Sequence, residues 1–585
     1  MTSSTTSPPT LRGLLDELYR GRVRWDLLRP FPEQDAADRV QGDAAVQAVQ
    51  TLLRRHADPE AIDRDGRIPD RLRGLMRDQG LFTLMYRPEL GGLGLSPMNA
   101  LRVVEAAASW STPIGWMLSI TNGLGSGTFL PLLPEGPLRA MVTDKVRIRA
   151  LSGSADTEAG GAANRGRETV AVPVEGGAAY LISGEKIFIG NAQLAEVMDV
   201  SACVHTDDAV QTRIFFVRTD SPGVTVAGRQ EFMGLRGASI GVLRFENVRV
   251  PAEQLLPISV DEWRDEPELV RLAVLGRMLI IAPPSLAIAK LCLTWSREFV
   301  NRRTMDGRAL GDYDEIQRMV AQTAADVFAI ESIVDWGMLS GDLEKLTPEL
   351  TAAKNLTSVG CWRVVDRTVS LMGGEGFETA RSKLERGTSA LPVERFARDA
   401  RGLRIAGGVD FLLDYWAALS ALEEMAGDQD ADTPTRQPPL SDPALSPNTQ
   451  EHLTRVQTHS AALAELCRRL VREQKMDDLA ENEHVLVLVG EVGRTLLGMA
   501  VTLARAAHLA EQGNTAALDL ADIACTEAGH RLSGLWARLA ADSHPDYASM
   551  SRRVLRSDEL DFLLGDVMTE VPPCGSHTER SASDD

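Results

Sequence analysis

The stretch AAYLISGEKIFIG, residues 178–190, determines how the chain is organised, because its hydrophobic period differs from that of the segments on either side. Its β-branched and aromatic residues alternate with a period near two, which indicates a β-strand. Similar short segments, separated by Gly, Asp and Pro, recur through residues 146–258. This part of the chain therefore predicts a small β domain.

Helical periodicity surrounds that domain. Apolar residues recur every three or four positions in 1–145, 259–425 and 451–566, which predicts an N-terminal helical domain, a helical bundle and an appended helical domain. Residues 426–450 are acidic and proline-rich with almost no large apolar side chain, so they predict a disordered linker. The polar end, 567–585, predicts a flexible tail. The predicted fold class is mainly α with an inserted β domain.

Composition excludes several classes of partner. A formal charge of -20 disfavours binding to nucleic acid. The six cysteines form no CxxC pair and the N-terminus has no signal peptide, so we expect a reducing, cytoplasmic location. No histidine lies between His205 and His452, which disfavours a metal site in the central region. The apolar stretch from His484 carries Glu491 and Arg494, so we interpret it as a core helix and expect no transmembrane segment.

Six stretches, taken in order, resemble motifs of the acyl-CoA dehydrogenase family, and they span about residues 10–425. They are RPELGGLG (87–94, followed by Glu105), ISGEKIFIGNA (182–192), FMGLRGASIGVLRFENVRVPAEQLL (232–256), NRRTMDGRALG (301–311), SLMGGEGFETA (370–380) and VERFARDARGLRI (393–405). The resemblance implies that family's fold and FAD as cofactor. The helices after the linker, best seen in residues 491–513, resemble the very-long-chain branch, which implies an extra helical domain and a homodimer.

The same resemblance implies residues that hold FAD. Those expected at the flavin and along the rest of the cofactor are Thr157, Glu158, Gly161, Phe188, Ile189, Gly190, Asn191, Arg303, Gly373, Gly374 and Gly376. Arg303 is expected on the pyrophosphate across the dimer interface. Two departures stand out: the family's Ser-Asp pair is replaced by Ala162 and Ala163, and Gly190 removes a hydroxyl expected near flavin N5.

The catalytic base is missing from both positions that the family uses. Removal of an α-proton needs a carboxylate within hydrogen-bond reach. The first position falls at Gly407, and the second falls at Arg277 or, with a one-residue slip, at Gly276. Three acidic residues are candidates for a relocated base, and the sequence does not choose among them: Asp410, Glu385 and Glu268.

Three functions follow from these features. The first is an FAD-dependent oxidoreductase that desaturates or oxidises an acyl thioester, on coenzyme A or a carrier protein, in specialised bacterial (secondary) metabolism. The second is a flavin-dependent monooxygenase of the same superfamily, whose chemistry does not need the α-proton base. The third is a non-catalytic flavoprotein that serves as an assembly subunit. The expected redox partner is an electron-transfer flavoprotein, oxygen or a flavin reductase.

Overall fold

In the part of the chain that the structure describes, seven α-helices precede the sheet. The computed structural model describes residues 12–161, 166–205, 210–258, 267–341, 346–428, 437–540 and 545–569. The N-terminal helices are α1 (Leu14–Tyr19), α2 (Ala36–His56), α3 (Pro59–Asp65), α4 (Asp70–Asp78), α5 (Pro97–Trp110), α6 (Thr112–Gly123) and α7 (Pro137–Arg147). Side-chain caps fix several starts; for example, Asp35 accepts hydrogen bonds from the first backbone N–H groups of α2. Every residue of α6 is buried, so this helix runs through the core.

The sheet domain contains seven strands. They are β1 (Ser152–Ala155), β2 (Val170–Val174), β3 (Ala179–Gly190), β4 (Val197–His205), β5 (Val210–Arg218), β6 (Val224–Arg229) and β7 (Ile240–Pro251). They are ordered β1-β4-β2-β3-β7-β6, with β5 antiparallel to β4. Ile182, Phe215 and Leu243 belong to its hydrophobic core. Their burial agrees with the sequence prediction that alternate side chains of the strands point into the core.

A helical bundle follows the sheet. It contains α8 (Pro267–Arg302), a short hairpin of β8 (Thr304–Met305) and β9 (Arg308–Ala309), and then α9 (Asp314–Leu339), α10 (Thr347–Met372), α11 (Gly374–Phe377), α12 (Ala380–Glu385), α13 (Val393–Leu403) and α14 (Asp410–Gly427). Helix α8 continues through Pro283 and Pro284. Helices around an inserted sheet confirm the predicted fold class.

The C-terminal helices start earlier than the sequence predicted. They are α15 (Pro447–Glu473), α16 (Met476–Glu481), α17 (Glu483–Glu511), α18 (Ala516–Leu539) and α19 (Tyr547–Arg556). The described residues form two compact units, one ending at Leu532 and one beginning at Ser533. In the first unit α17 packs against α14, α15 and α9. In the second unit, Arg553 pairs with Glu559, and Leu555 and Phe562 are exposed.

The prediction of a disordered linker over 426–450 is corrected for its described part. Residues 437–446 form an extended strap that is hydrogen-bonded to the N-terminal segment. The side-chain amide of Gln437 forms two hydrogen bonds with the backbone of Val23, both 2.8 Å: Oε1 accepts from the N–H, and Nε2 donates to the carbonyl oxygen. The buried Asp442 accepts from Trp25 and Arg29, both at 3.0 Å. Composition suggested disorder because few apolar groups are present, but satisfied polar groups order this strap instead.

Two helices of the described part are long and apolar enough to cross a membrane. They are Leu272–Arg302, whose most apolar window is 89% buried, and Glu483–Glu511, whose window is 78% buried. Both are surrounded by other helices of the first unit. Their apolar character is thus accounted for by core packing, as the sequence interpretation held for the second of them.

Candidate active site

The loop between α13 and α14 contains Gly407, the first position at which a catalytic carboxylate was expected. Gly407 has a φ of +69°, a left-handed conformation that glycine adopts without steric cost. A Cβ built on Gly407 would lie 3.6 Å from Cγ of Arg277 and 3.7 Å from Cγ1 of Ile281. The structure therefore brings together the two segments from which a base was expected.

The two alternatives on α8 face different neighbours. A Cβ on Gly276 would lie 2.5 Å from the carbonyl oxygen of Gly123 on α6, so this helix crossing requires a glycine. Arg277 faces Gly407 instead, and its Nη1 donates to Oγ1 of Thr351 at 3.1 Å. Burial lowers the pKa of Arg277. No carboxylate of the described residues pairs with this guanidinium, so Arg277 brings an unpaired positive charge to the loop.

Lys354 of α10 holds the other side of the loop. Its side chain is fully buried, and Nζ donates to the carbonyl oxygens of Arg404 at 3.2 Å and Gly408 at 2.6 Å. Burial lowers the pKa of Lys354 to about 8; the negative charge of Asp410 opposes this shift, and the positive charge of Arg277 adds to it. The loop is thus fixed from within by a lysine.

Asp410 is the acidic candidate that lies at this loop, where it begins α14. Its Oδ2 accepts two hydrogen bonds from the Arg404 guanidinium, the one from Nε at 2.9 Å. Its Oδ1 accepts from the backbone N–H of Phe411 at 3.1 Å. Burial favours the neutral carboxyl, but the hydrogen bond and the charge of Arg404 outweigh it, so the pKa of Asp410 is lowered. Asp410 is therefore ionised at neutral pH.

The other two acidic candidates are placed differently. Glu385 ends α12 with a side chain that is 64% exposed and pairs with Arg381 at 2.9 Å. Its helix is anchored to residues before and after it, since Nζ of Lys383 donates to the carbonyl oxygens of Glu375 and Leu391. Glu268 lies at the start of α8, and its side chain is outside the described part of the structure. Neither is brought to the Gly407 loop by a contact that the structure describes.

An exposed aromatic surface lies where the flavin ring was expected. Phe188 is 54% exposed, and its ring centroid lies 5.9 Å from that of Phe232, which is 37% exposed. Met233 beside them is 64% exposed, and its carbonyl oxygen accepts from Arg398 of α13. The two ring planes are tilted by 53°, so Phe188 and Phe232 form an exposed apolar corner next to the helical bundle.

The residues that follow Phe188 face inward. Ile189 is buried, and a Cβ on Gly190 would lie 3.1 Å from Ile120 of α6. Nδ2 of the buried Asn191 donates to the carbonyl oxygen of Ser152 and to Oγ1 of Thr121, both at 3.0 Å. Asn191 therefore links the sheet to α6. The close approach of Ile120 explains why residue 190 is a glycine.

The loop 156–161 is held by a buried ion pair that sequence reasoning did not identify. Nζ of Lys186, which is fully buried, lies 2.7 Å from Oε1 of Glu158. Burial works against ionisation of Glu158, but Lys186 and the backbone N–H groups of Glu168 and Thr169 hold its pKa at about 2. Glu158 thus has a structural role, and the carbonyl oxygen of Thr157 accepts from the backbone N–H of Ile187 in β3. The lysine of the GEK stretch, Lys186, was the feature of the sequence from which this ion pair could have been predicted.

Gly161 has a φ of +91°, and a Cβ there would meet nothing within 4 Å. It therefore provides an open turn at the end of this loop. Ala162 and Ala163, where the expected Ser-Asp pair is replaced, lie outside the described residues.

Arg303, which the resemblance placed on the cofactor pyrophosphate, lies beside a second arginine, Arg302. The guanidinium groups of Arg302 and Arg303 lie 5.1 and 5.2 Å from the ring centroid of Phe299. Both pair with the carboxylate of Glu375, the Arg303 contact being 3.0 Å. Sequence reasoning named Arg303 but missed Arg302 and Glu375, although the adjacent arginines and an acidic residue inside the glycine motif were visible signals.

The glycines around Glu375 meet two different requirements. Gly373 has a φ of +58°, and a Cβ on Gly373 or Gly374 would meet nothing within 4 Å, so the backbone is open to an approaching group. A Cβ on Gly376 would lie 2.6 Å from the carbonyl oxygen of Val369. The first two glycines therefore leave room for a ligand, and the third is required by packing.

A cavity of about 660 Å³ lies between the N-terminal helices and the start of α8. Its lining includes Leu272 and Leu275, with Arg87 and Arg147 among its polar residues. The lining also includes Gly123 of α6, which packs against Gly276, the residue before Arg277 on α8. Volumes of 300–1,000 Å³ are typical of small-molecule sites. The cavity can accommodate part of an extended, mainly apolar ligand.

The residues present fit FAD. The exposed ring of Phe188 offers one aromatic face to a planar flavin, with the Phe232 ring beside it at 53°, and the open backbone at Gly373 suits a close approach. The Glu375 carboxylate stands in for a phosphate, because guanidinium groups bind both anions through the same paired donors. No cluster of potential metal ligands occurs among the described residues.

Comparison with known proteins gives one consistent family. Three family models match: the N-terminal domain of acyl-CoA dehydrogenase at residues 41–132, the middle domain at 153–248 and the C-terminal domain at 273–412. The probable acyl-CoA dehydrogenase FadE10 of Mycobacterium tuberculosis is 29% identical over 416 residues, 70% of this chain and 63% of the relative. The mitochondrial very long-chain specific acyl-CoA dehydrogenase of Mus musculus is 24% identical over 414 residues, 69% and 61% respectively. The chain thus spans under two thirds of the length of these relatives.

Solved structures share the fold. An acyl-CoA dehydrogenase from Bacillus anthracis, complexed with FAD, matches with a TM-score of 0.70 at 19% identity, covering 92% of this chain and 94% of that chain. Butyryl-CoA dehydrogenase from Megasphaera elsdenii matches with a TM-score of 0.57 at 22% identity, covering 65% and 97%. The first match extends over the helices that follow the strap, and the second leaves about a third of this chain unmatched.

Proposed function

Because the chain belongs to the acyl-CoA dehydrogenase family, we propose that it is an FAD-dependent oxidoreductase that acts on an acyl thioester. The observation that carries the proposal is the meeting of α8 with the α13–α14 loop at Gly407. Those are the two segments from which a base was expected, and an apolar cavity lies beside the same turn of α8. The acyl carrier is coenzyme A or a carrier protein.

The cofactor site combines the aromatic surface with the arginine pair. Phe188 and Phe232 would support the flavin ring, and Arg302 and Arg303 would bind the pyrophosphate. When bound, FAD supplies a two-electron acceptor for the hydride that leaves the β-carbon of the substrate. The resemblance to the family implies that Arg303 reaches the pyrophosphate across a dimer interface, so a homodimer in which each chain completes the other's cofactor site is part of the proposal.

We assign the proton acceptor to Asp410. Desaturation breaks the α-C–H bond, and its proton passes to Oδ1 of Asp410 while the electron pair forms the α,β double bond and a hydride departs from the β-carbon. Oδ1 is engaged only by the backbone N–H of Phe411, whereas Oδ2 is held by Arg404. The lowered pKa of Asp410 makes it a weaker base than an unpaired carboxylate. We therefore expect slow chemistry, as suits a specialised cytoplasmic role.

The test is anaerobic reduction of the FAD-loaded protein by acyl thioesters of several chain lengths. Asp410→Asn should lower the rate of flavin bleaching about 10²- to 10⁴-fold, the usual contribution of a general base, with FAD content unchanged. Asp366→Asn, on the exposed face of α10, is the matched control. If Asp410→Asn leaves the rate intact while Glu385→Gln abolishes it, the base has been assigned to the wrong residue.

One observation favours a second candidate, a flavin-dependent monooxygenase. At Gly407 the nearest side-chain atoms are Cγ of Arg277 and Cγ1 of Ile281, with no carboxylate among these contacts, and oxygen transfer does not need the α-proton base. Product formation with a flavin reductase and oxygen, without anaerobic bleaching by the thioester, would select this candidate. Failure of both reactions by a protein that retains FAD would select a non-catalytic assembly subunit.

A further inference from the structure

Glu375 pairs with both arginines through its two carboxylate oxygens. Its carboxylate is 12% exposed; Oε1 accepts from Nη1 of Arg303 at 3.0 Å, and Oε2 accepts from Nη2 of Arg302. A third guanidinium, that of Arg386, lies 4.0 Å from Oε1. Both carboxylate oxygens are therefore engaged by the groups that would have to bind a pyrophosphate.

The backbone fixes Glu375 in this position. Gly373, with its left-handed φ, ends α10 and begins the short helix that carries Glu375. Gly376 packs directly against Val369, so the turn cannot shift toward α10. Nζ of the fully buried Lys383 donates to the carbonyl oxygen of Glu375 at 2.8 Å. The carboxylate thus reaches the arginines from a rigid support.

Glu375 lowers the positive charge of the cluster. Three arginines, Arg302, Arg303 and Arg386, face three glutamates: Glu375, Glu298, which pairs with Arg302 at 3.2 Å, and Glu378, which pairs with Arg386 at 2.7 Å. The buried Lys383 beside Glu375 is a further cation. Removing the Glu375 carboxylate therefore makes the cluster more positive by one charge, and a more positive cluster attracts a doubly negative pyrophosphate more strongly.

We propose that Glu375 is a built-in competitor for the FAD pyrophosphate, and that the flavin is therefore held exchangeably. The proposal rests on the proposed function, because it assumes that Arg302 and Arg303 bind FAD. To reach Nη1 of Arg303 and Nη2 of Arg302, the pyrophosphate must displace a carboxylate that already accepts from both. Exchange of flavin is what an enzyme that receives its flavin from a separate reductase requires, so this contact favours the second candidate function.

The experiment measures FAD affinity of the full chain by equilibrium dialysis and by quenching of FAD fluorescence. Glu375→Gln should bind FAD about 3- to 10-fold more tightly than the natural protein, as expected from the removal of two partly exposed ion pairs. Glu378→Gln is the matched control. It removes the same charge three residues away, but Glu378 pairs with Arg386 and Ser382 and touches neither Arg302 nor Arg303.

The possible results distinguish the competitor role of Glu375 from FAD binding itself. Tightening by Glu375→Gln that clearly exceeds any change in Glu378→Gln supports the competitor role, and a slower release of FAD on gel filtration should accompany it. If FAD affinity changes equally in the two variants, the change is due to net charge alone and the inference is overturned. Unchanged or weaker FAD binding by Glu375→Gln overturns it as well. If neither the natural protein nor any variant binds FAD while all remain folded by circular dichroism, the proposed function itself fails.

Discussion

Replacing Gly407 by glutamate should place a carboxylate at the first position from which a catalytic base was expected. The position has room for a side chain, because a Cβ there would be in ordinary contact with Arg277 at 3.6 Å and Ile281 at 3.7 Å. The φ of +69° is unfavourable for any residue with a Cβ and should cost about 1–2 kcal/mol of stability. The positive charge of Arg277 would keep the new carboxylate ionised.

The expected gain follows from what a general base contributes. If weak proton abstraction limits the natural protein, Gly407→Glu should accelerate anaerobic bleaching of the FAD-loaded protein by an acyl thioester, and in an Asp410→Asn background, where the assigned base is absent, the gain should be about 10²- to 10⁴-fold. Gly407→Gln carries the same strain and nearly the same volume without the charge, so it isolates the carboxylate. The reasoning is refuted if folded, FAD-loaded Gly407→Glu is reduced no faster than Gly407→Gln. The double variant with Asp410→Asn should retain the gain, because the new base makes Asp410 dispensable.

Three further results are expected. Phe188→Ala should weaken FAD binding about 3- to 10-fold in a fluorescence titration, because an aromatic contact contributes about 0.5–1.5 kcal/mol; unchanged affinity would place the flavin elsewhere. Lys186→Met should lower the free energy of unfolding in urea by about 3–5 kcal/mol, since it leaves Glu158 buried and unpaired, and a loss under 1 kcal/mol would contradict that role. Burial raises the pKa of Glu349, which accepts a hydrogen bond from the backbone of Leu15, from 4.5 to about 7. Because the pKa of this carboxyl is raised on folding, its contribution to the free energy of unfolding is fully present below pH 4.5 and falls by about 3 kcal/mol as the pH rises to 7. Glu349→Gln should abolish this fall in urea unfolding measured across that pH range. If the fall persists in the variant, it belongs to other groups.

The architecture was largely readable from the sequence because it depends on local periodicity. The alternation in residues 178–190 appears as β3, and the apolar spacing around it appears as long helices. The strap at 437–446 was not foreseen, since its order comes from hydrogen bonds to Val23, Trp25 and Arg29, which are more than 400 residues away in sequence. Composition indicates how much apolar surface a segment can bury, but it carries no information about polar partners that are distant in sequence.

The candidate site was readable as a set of positions but not as a set of interactions. The sequence placed two vacant base positions on separate segments, and only packing shows that Arg277, not Gly276, meets Gly407. Glu158 was expected at the flavin, but its carboxylate is taken by Lys186 and two backbone N–H groups. The capture of Arg303 by Glu375 links residues 72 positions apart. Side-chain pairing of this kind depends on the tertiary fold, which motif spacing does not encode.

The central claim is that this fold holds FAD and accepts a hydride from an acyl thioester through a site without a carboxylate at Gly407. Mixing the FAD-loaded protein with acyl thioesters under anaerobic conditions, while the visible flavin band is recorded, tests it most directly. The account predicts slow loss of the band in the natural protein and much slower loss in Asp410→Asn. A protein that binds FAD yet keeps its full flavin absorbance with every thioester tried would contradict it.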